Sequence, residues 1–168
     1  TTNYEVYKYS HKMRKIIIAF RGNAKNKDVI KERTLEFYSK KLESLLSEIG
    51  VLINLQTIDV NSNLLKSLPS EIGLLVNLRQ LYLNHNQLQY LPSEIGLLVN
   101  LRILYLNNNQ LQYLPLEIGL LVNLRNLTLY TNKLKTLPEE IKLLTNLQKI
   151  GIDDILSNQV KQLLPNAR

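Results

Sequence analysis

Leu68 to Tyr90 reads LPSEIGLLVNLRQLYLNHNQLQY, and Leu91 to Tyr113 reads LPSEIGLLVNLRILYLNNNQLQY. These two 23-residue stretches differ only at Gln80/Ile103 and His85/Asn108. A third copy, LPLEIGLLVNLRNLTLYTNKLKT, runs from Leu114 to Thr136. Self-similarity at this period specifies a solenoid, in which each unit buries its core only against its neighbours. Function is then expected on a long surface rather than in a pocket.

The phase extends in both directions. One step back gives LLSEIGVLINLQTIDVNSNLLKS, Leu45 to Ser67, with Leu46 where Pro is expected. A further step finds TLEFYSKKLESL, Thr34 to Leu45, which aligns with TIDVNSNLLKSL, Thr57 to Leu68. Taken alone, residues 28–46 resemble an amphipathic helix, but the repeat phase makes Leu35-Glu36-Phe37 a strand. One step forward gives LPEEIKLLTNLQKIGIDDILSNQ, Leu137 to Gln159, where Ile155 replaces the Asn and the pattern ends. Six strands are therefore expected, centred on Glu36, Asp59, Tyr82, Tyr105, Thr128 and Gly151, with the first and last repeats degenerate.

The unit LxxLxLxxNxLxxLPxEIGxLxNL is that of leucine-rich repeats. Its form here, with LPxEIG and the NL pair, resembles the 23-residue repeats of leptospiral leucine-rich-repeat proteins, and intracellular Ras-group leucine-rich-repeat proteins carry similar units. The tail QVKQLLPNAR, Gln159 to Arg168, also looks like the end of the leptospiral proteins, with Ala167 standing where many of them have Cys. The resemblance implies an α/β solenoid: an arc with a short-stranded parallel sheet on its concave face, short helical turns on its convex face and a capping segment at each end. The expected divisions of this single structural domain are a basic N-terminal cap (1–31), the repeats (32–152) and a C-terminal capping helix (153–168). The resemblance further implies a bacterial, exported, virulence-associated protein at the cell surface or secreted; the residues themselves leave a cytoplasmic location open.

Each repeat position has a physical task. Leu81 and Leu83 point inward from the strand, while Gln80, Tyr82 and Asn84 alternate outward. Asn63, Asn86, Asn109 and Asn132 form a column whose amides can pair backbone groups that would otherwise be buried and unpaired. Pro69, Pro92, Pro115 and Pro138 suit the first position of a helical turn, because their missing N–H would be unpaired there anyway. Glu48, Glu71, Glu94, Glu117 and Glu140 then fall near a helix N-terminus, which favours carboxylates. This accounts for the Glu column without a cation.

The ends of a solenoid need lids. Asp154 is expected to cap a short helix in which Ile155, Leu156, Val160, Leu163 and Leu164 pack on the last repeat, with Pro165 ending it. At the other end Ser10 suits a cap, Met13, Ile16, Ile17 and Phe20 share a helical face, and Gly22 stops the run. Three successive Ile residues suit a strand equally, so both readings of residues 10–21 stand. Residues 22–28 read as a loop.

Composition narrows the function. No window holds 18 consecutive apolar residues, so no membrane span is expected. The chain has no Cys, which removes thiol catalysis, Cys-based zinc sites and disulfide-capped ends. Residues 1–44 hold 11 Lys/Arg against 5 Asp/Glu, whereas residues 45–168 hold 10 against 9, so the net +7 sits almost wholly at the N-terminal end. Such a segment is either a solvated cap face or a meeting point for an anionic surface. No recognition helix, RNA-binding signature or phosphate loop accompanies it, so nucleic acid is not an expected partner. His11 and His85 are the only histidines, and no HExxH, GxSxG, Walker or GxGxxG sequence occurs. Asp153 and Asp154 adjoin where helix capping explains them better than a metal. No enzyme activity, catalytic residue, cofactor or metal is expected. Asn126-Leu127-Thr128 is a glycosylation sequon only in a eukaryotic secretory setting.

Two surfaces remain. On the concave face, strands about 4.8 Å apart turn outward positions into ladders. One comprises Asp59, Tyr82, Tyr105, Thr128 and Gly151; the next, Asn61, Asn84, Asn107, Tyr130 and Asp153; a third, Thr57, Gln80, Ile103, Asn126 and Lys149. Ser62, His85, Asn108 and Thr131 add a loop edge. Tyrosines amid amides favour a protein ligand, with Tyr82, Tyr105, Tyr130, Asp59 and His85 as chosen contacts. The bland alternative is cross-strand stabilisation of the sheet. Carbohydrate, or an anionic surface met by these tyrosines or the basic cap, is the other ligand class. On the convex face, two positions usually polar in the family are aliphatic: Val51, Leu74, Leu97, Leu120, Leu143, and Ile53, Val76, Val99, Val122, Thr145. Either one column, the Leu column first, is buried between turns, or both expose an apolar stripe suited to weak homo-oligomerisation through Ile53, Val76, Val99, Val122, Leu74, Leu97 and Leu120.

Overall fold

In the computed structural model, residues 33–39 and 41–167 are described; the expected N-terminal cap lies outside them. Six three-residue strands form one parallel sheet in chain order: β1 (Thr34–Glu36), β2 (Thr57–Asp59), β3 (Gln80–Tyr82), β4 (Ile103–Tyr105), β5 (Asn126–Thr128) and β6 (Lys149–Gly151). The register is one repeat throughout, as in Gln80 opposite Ile103 and Tyr82 opposite Tyr105. The expected strands all occur, but they end on the expected central residues. Pairing starts one residue early because the Arg79 carbonyl accepts from the N–H groups of both Arg102 (2.8 Å) and Ile103 (3.1 Å). Leu35 and Phe37 are buried and the Phe37 N–H donates to the Asp59 carbonyl at 2.7 Å. The strand reading therefore wins over the amphipathic helix there.

The convex side is built from 3-10 turns at Ser47–Val51, Ser70–Leu74, Ser93–Leu97, Leu116–Leu120 and Glu139–Leu143. Each Pro stands just before the turn rather than at its first position, extended at ψ 147–151°, with its carbonyl accepting the first bond, such as Ile72 N–H to Pro69 at 3.1 Å. Fixed φ with free ψ lets proline serve there as well. A 3-10 turn repeats every three residues, and Ile72, Leu75 and Leu78 are buried at that spacing. Leu74 and Val76 therefore both face outward. The exposures are 51–54% for Leu74, Leu97 and Leu120, and 45–49% for Ile53, Val76, Val99 and Val122. Neither column is buried, which corrects the expectation that the Leu column would be.

Close stacking explains why the Leu column is only half covered. A Cβ added at Gly73 would lie 2.8 Å from the Glu94 carbonyl oxygen and 3.0 Å from Leu97 Cδ1. Gly96 meets Glu117 and Leu120 in the same way. Each Leu thus lies across the glycine of the turn before it. Lys142 occupies the glycine position of the last turn, where no further 3-10 turn of the series stacks above it.

At the C-terminal end, a 3-10 turn (Asp154–Leu156) leads into the helix α1 (Ser157–Leu163). Leu156, Val160 and Leu164 pack into the core, with Leu163 partly buried against it. Ile155 does not join them; it is 71% exposed. Asp154 is the first residue of the turn and not its cap, a position that falls to Asp153. The capping work falls to two other side chains. Asp153 accepts from the Thr131 N–H at 2.8 Å and the Asn132 N–H at 3.4 Å, replacing carbonyls that the next repeat would have supplied. Gln159 accepts from the Leu137 N–H and donates to the Leu137 carbonyl, both at 2.8 Å. One amide side chain here pairs both backbone groups of Leu137.

Candidate functional site

The concave sheet is held flat at its rim by the Asn column. Asn109 accepts from the Leu88 N–H at 2.9 Å and donates to the Leu83 and Leu106 carbonyls at 3.0 Å. Asn63 and Asn86 repeat these bonds, and Asn132 closes the series. This is the structural role that the spacing predicts. It frees the strand faces to vary without loss of the frame.

Tyr82 and Tyr105 meet edge to face, with ring centroids 5.2 Å apart and planes at 80°. Such a geometry sets the positive ring edge against the negative ring face. The Tyr82 hydroxyl donates to Gln80 Oε1 at 3.4 Å, and Thr57 Oγ1 donates to the same oxygen at 3.3 Å. Burial, then Tyr105, then the Asp59 carboxylate raise the Tyr82 phenol above 10.0, so it stays a neutral donor. Asp59 is occupied by Asn61, which donates to it from its backbone N–H (3.1 Å) and its amide (2.6 Å). Ile103, Asn126 and Thr128 are partly buried on the same face, while Tyr130 is exposed. Gly151 makes room for the Tyr130 ring, whose Cδ1 lies 3.0 Å from where a Cβ would be.

Asn107 departs from expectation. It is 5% exposed and accepts from Thr128 Oγ1 at 2.8 Å, so it braces the sheet instead of reaching a ligand. Asn84 is partly buried, and His85 is exposed, with Nε2 3.5 Å from the Asn108 amide. Tyr38 extends the Asn61–Asn84 ladder by one repeat and is 56% exposed. It is a surface aromatic that the repeat phase places and that the sequence reading passed over.

A second Asn column was also missed. Asn77, Asn100, Asn123 and Asn146 donate to the carbonyls of Ile53, Val76, Val99 and Val122 at 2.8–2.9 Å, fastening each turn to the previous one. The NL pair in every repeat is its signal. Among the described residues, no three of His, Cys, Asp and Glu come together to hold a metal ion, and no helix is long and apolar enough to cross a membrane.

The leucine-rich-repeat family profile matches residues 53–111. A leucine-rich-repeat protein of Leptospira interrogans, LIC12759, superposes with a TM-score of 0.73 at 38% identity over 83% of this chain. The chain is a leucine-rich-repeat protein. Two further solved structures share the arc at 30% identity. The ectodomain of the Arabidopsis thaliana receptor kinase GASSHO1/SCHENGEN3, in complex with CASPARIAN STRIP INTEGRITY FACTOR 2, matches 74% of this chain with a TM-score of 0.68. The PEPR1–AtPEP1 structure matches 66% with a TM-score of 0.61. This leucine-rich-repeat chain spans 38% of the length of the leptospiral structure and 16% of each of the others. No curated protein matches it in sequence. Leucine-rich repeats commonly serve as protein–protein interaction modules and are generally non-enzymatic.

Proposed function

We propose that this chain is a non-enzymatic protein-binding module whose concave face engages a macromolecular ligand. One observation carries the reading: an edge-to-face tyrosine pair sits at the middle of an open parallel sheet, between Asp59 on β2 and Thr128 on β5. Paired tyrosines offer large amphipathic area at small entropic cost, as interface anchors require. Tyr82, Tyr105, Tyr130, Asp59 and His85 are the contacts, with Gln80, Ile103, Asn84, Asn126 and Thr128 around them. The similarity to the Leptospira interrogans protein supports a bacterial setting, and with it an exported protein that meets host or envelope partners.

The test is a binding isotherm for each partner recovered by cross-linked capture, comparing wild type with Tyr82→Ala/Tyr105→Ala. A loss of about 2 kcal/mol or more, as for hot-spot aromatics, with an unchanged circular dichroism spectrum, is expected. Equal affinity in the folded double variant removes this face from the proposal.

A second reading rests on a separate observation, the double aliphatic column left open on the convex side. The chain associates weakly with a second copy through Val76, Val99 and Val122.

A further inference from the structure

Arg79, Arg102 and Arg125 stand one repeat apart at the entrance to β3, β4 and β5. The backbone stacks them directly: Arg102 N–H donates to the Arg79 carbonyl at 2.8 Å, and Arg125 N–H to the Arg102 carbonyl at 2.9 Å. All three are exposed. None forms an ion pair with a described residue, where the only ion pair is Lys142–Glu139. With Gln80, Ile103, Asn126 and Gln148 they line one shallow groove, and Arg33 lines a second with Asn54, Gln56 and Asn77.

Like charges stacked on neighbouring strands repel, and a folded surface ordinarily intersperses acids among them. Here it does not. The column itself reads Arg33, Gln56, Arg79, Arg102, Arg125, Gln148. Its neighbour on the sheet side reads Thr34, Thr57, Gln80, Ile103, Asn126, Lys149, and its neighbour on the convex side Asn54, Asn77, Asn100, Asn123, Asn146. Three adjacent columns hold five cations and no carboxylate among the described residues. The carboxylates of the repeats lie in other columns, among them the Glu48–Glu140 column, Glu36 and Asp59 on the sheet, and Asp153. This positive edge borders the tyrosine face, sharing Gln80, Ile103 and Asn126 with it, and only Arg33 comes from the basic first 44 residues.

We propose that this arginine ridge binds an acidic polysaccharide, a sugar chain bearing sulfate or carboxylate groups. Guanidinium groups recognise such oxyanions through paired N–H donors. The surrounding amides suit hydroxyl groups, because the side chains of Asn126 and Gln148 hold no partner among the described residues. Spacing argues against an acidic peptide. An extended peptide shows side chains to one face every ~6.7 Å, whereas the ridge repeats every ~4.8 Å. Ile103 is the only apolar residue in the Arg79–Arg125 groove, too little for a peptide anchor.

The experiment uses the whole chain, fluorescence-labelled, titrated with heparin, hyaluronan, neutral dextran, poly-glutamate and a single-stranded DNA oligomer at several salt concentrations. Wild type is compared with Arg79→Gln/Arg102→Gln/Arg125→Gln and with Lys25→Gln/Lys27→Gln, each checked by thermal melting. The expected result is binding to heparin or hyaluronan and not to dextran. It weakens roughly tenfold or more in the arginine variant, since exposed ion pairs contribute modestly each. The slope of log affinity against log salt should also become shallower by about two. An arginine variant that has lost its cooperative melt is replaced by the three single substitutions, each expected to weaken binding about twofold or more. Wild-type affinity in the folded triple variant, with loss only in the lysine variant, overturns the proposal. So does poly-glutamate or DNA binding at least as tightly as the polysaccharides, or no binding to either polysaccharide at physiological salt. Because Tyr82 and Tyr105 are untouched, failure here leaves the concave-face reading standing.

Discussion

The concave and convex sides of this solenoid each carry an asparagine column that bonds the backbone of a neighbouring repeat, and the two columns are not equivalent. On the concave rim, Asn63, Asn86 and Asn109 are buried, and each satisfies several backbone groups in neighbouring repeats. On the convex side, Asn77, Asn100 and Asn123 are exposed and make one bond apiece. The same residue at the same period therefore frames the fold in one place and trims it in another. Burial decides the difference, because only a buried backbone group suffers when its partner is removed.

Replacing Asn109 by Ala tests this most severely. It strands the Leu88 N–H, at roughly 1–3 kcal/mol, and removes one of two amide donors from each of the Leu83 and Leu106 carbonyls, which keep Asn86 and Asn132. A total loss of about 2–4 kcal/mol is expected in urea unfolding, one unpaired group and two lost bonds together. Asn123→Ala exposes the Val99 carbonyl to water and should cost about 1 kcal/mol or less. Equal losses for the two variants would erase the distinction drawn between the columns.

What the sequence made legible follows the same division. Much of what a neighbour one repeat away fixes was readable: the leucine core, the Asn63–Asn132 column and all six strands, though not the Asn77–Asn146 column. Residues whose task depends on a break in the repeat were not. Asp153 rather than Asp154 closes the array, because only Asp153 sits in line with the unpaired N–H groups of Thr131 and Asn132. Gln159 acts through its reach rather than its phase. Asn107 looked like its ladder neighbours Asn61 and Asn84, yet Thr128 on the next strand captures it. The convex Leu column was misjudged because the helical period was left open. Three residues per turn, not 3.6, directs Leu74 and Val76 away from the core. Tyr82, Tyr105 and Tyr130 were placed on the concave face because alternation along a strand is unambiguous. No comparable rule drew notice to the arginine ridge, which lies just outside the strands.

The convex face gives the next prediction. A column of half-exposed Val beside a column of half-exposed Leu could bury several hundred Å² of apolar area against a second copy. At about 25 cal/mol per Å² the gross gain is several kcal/mol, and association entropy removes a comparable amount. Weak dimerisation in the upper micromolar range is the expected outcome in sedimentation equilibrium. Val76→Lys/Val99→Lys/Val122→Lys should abolish it and leave the fold intact, since these side chains are 45–47% exposed. A wild type that remains monomeric throughout, or a triple variant that associates equally well, would show that the stripe is merely solvated.

The smallest effect concerns strain, and it again separates the two sides. Apart from Lys41, the positive-φ residues among those described lie three residues beyond a strand, on the concave rim: Ser39, Ser62, His85, Asn108 and Thr131, at φ 53–57°. Left-handed backbone is tolerated by Asn but is costly for a β-branched side chain. Asn108 and Thr131 occupy equivalent positions in successive repeats, so the two repeats bear unequal strain at the same point. Thr131→Asn relieves it and keeps the Thr131 N–H bond to Asp153; a gain of about 0.5–1 kcal/mol is expected. Asn108→Thr imposes the strain where it was absent and should cost a similar amount. Paired urea midpoints, read with unchanged slopes, measure both. If both midpoints stay at the wild-type value, the rim accommodates either side chain equally, and the strain assigned to Thr131 is not there.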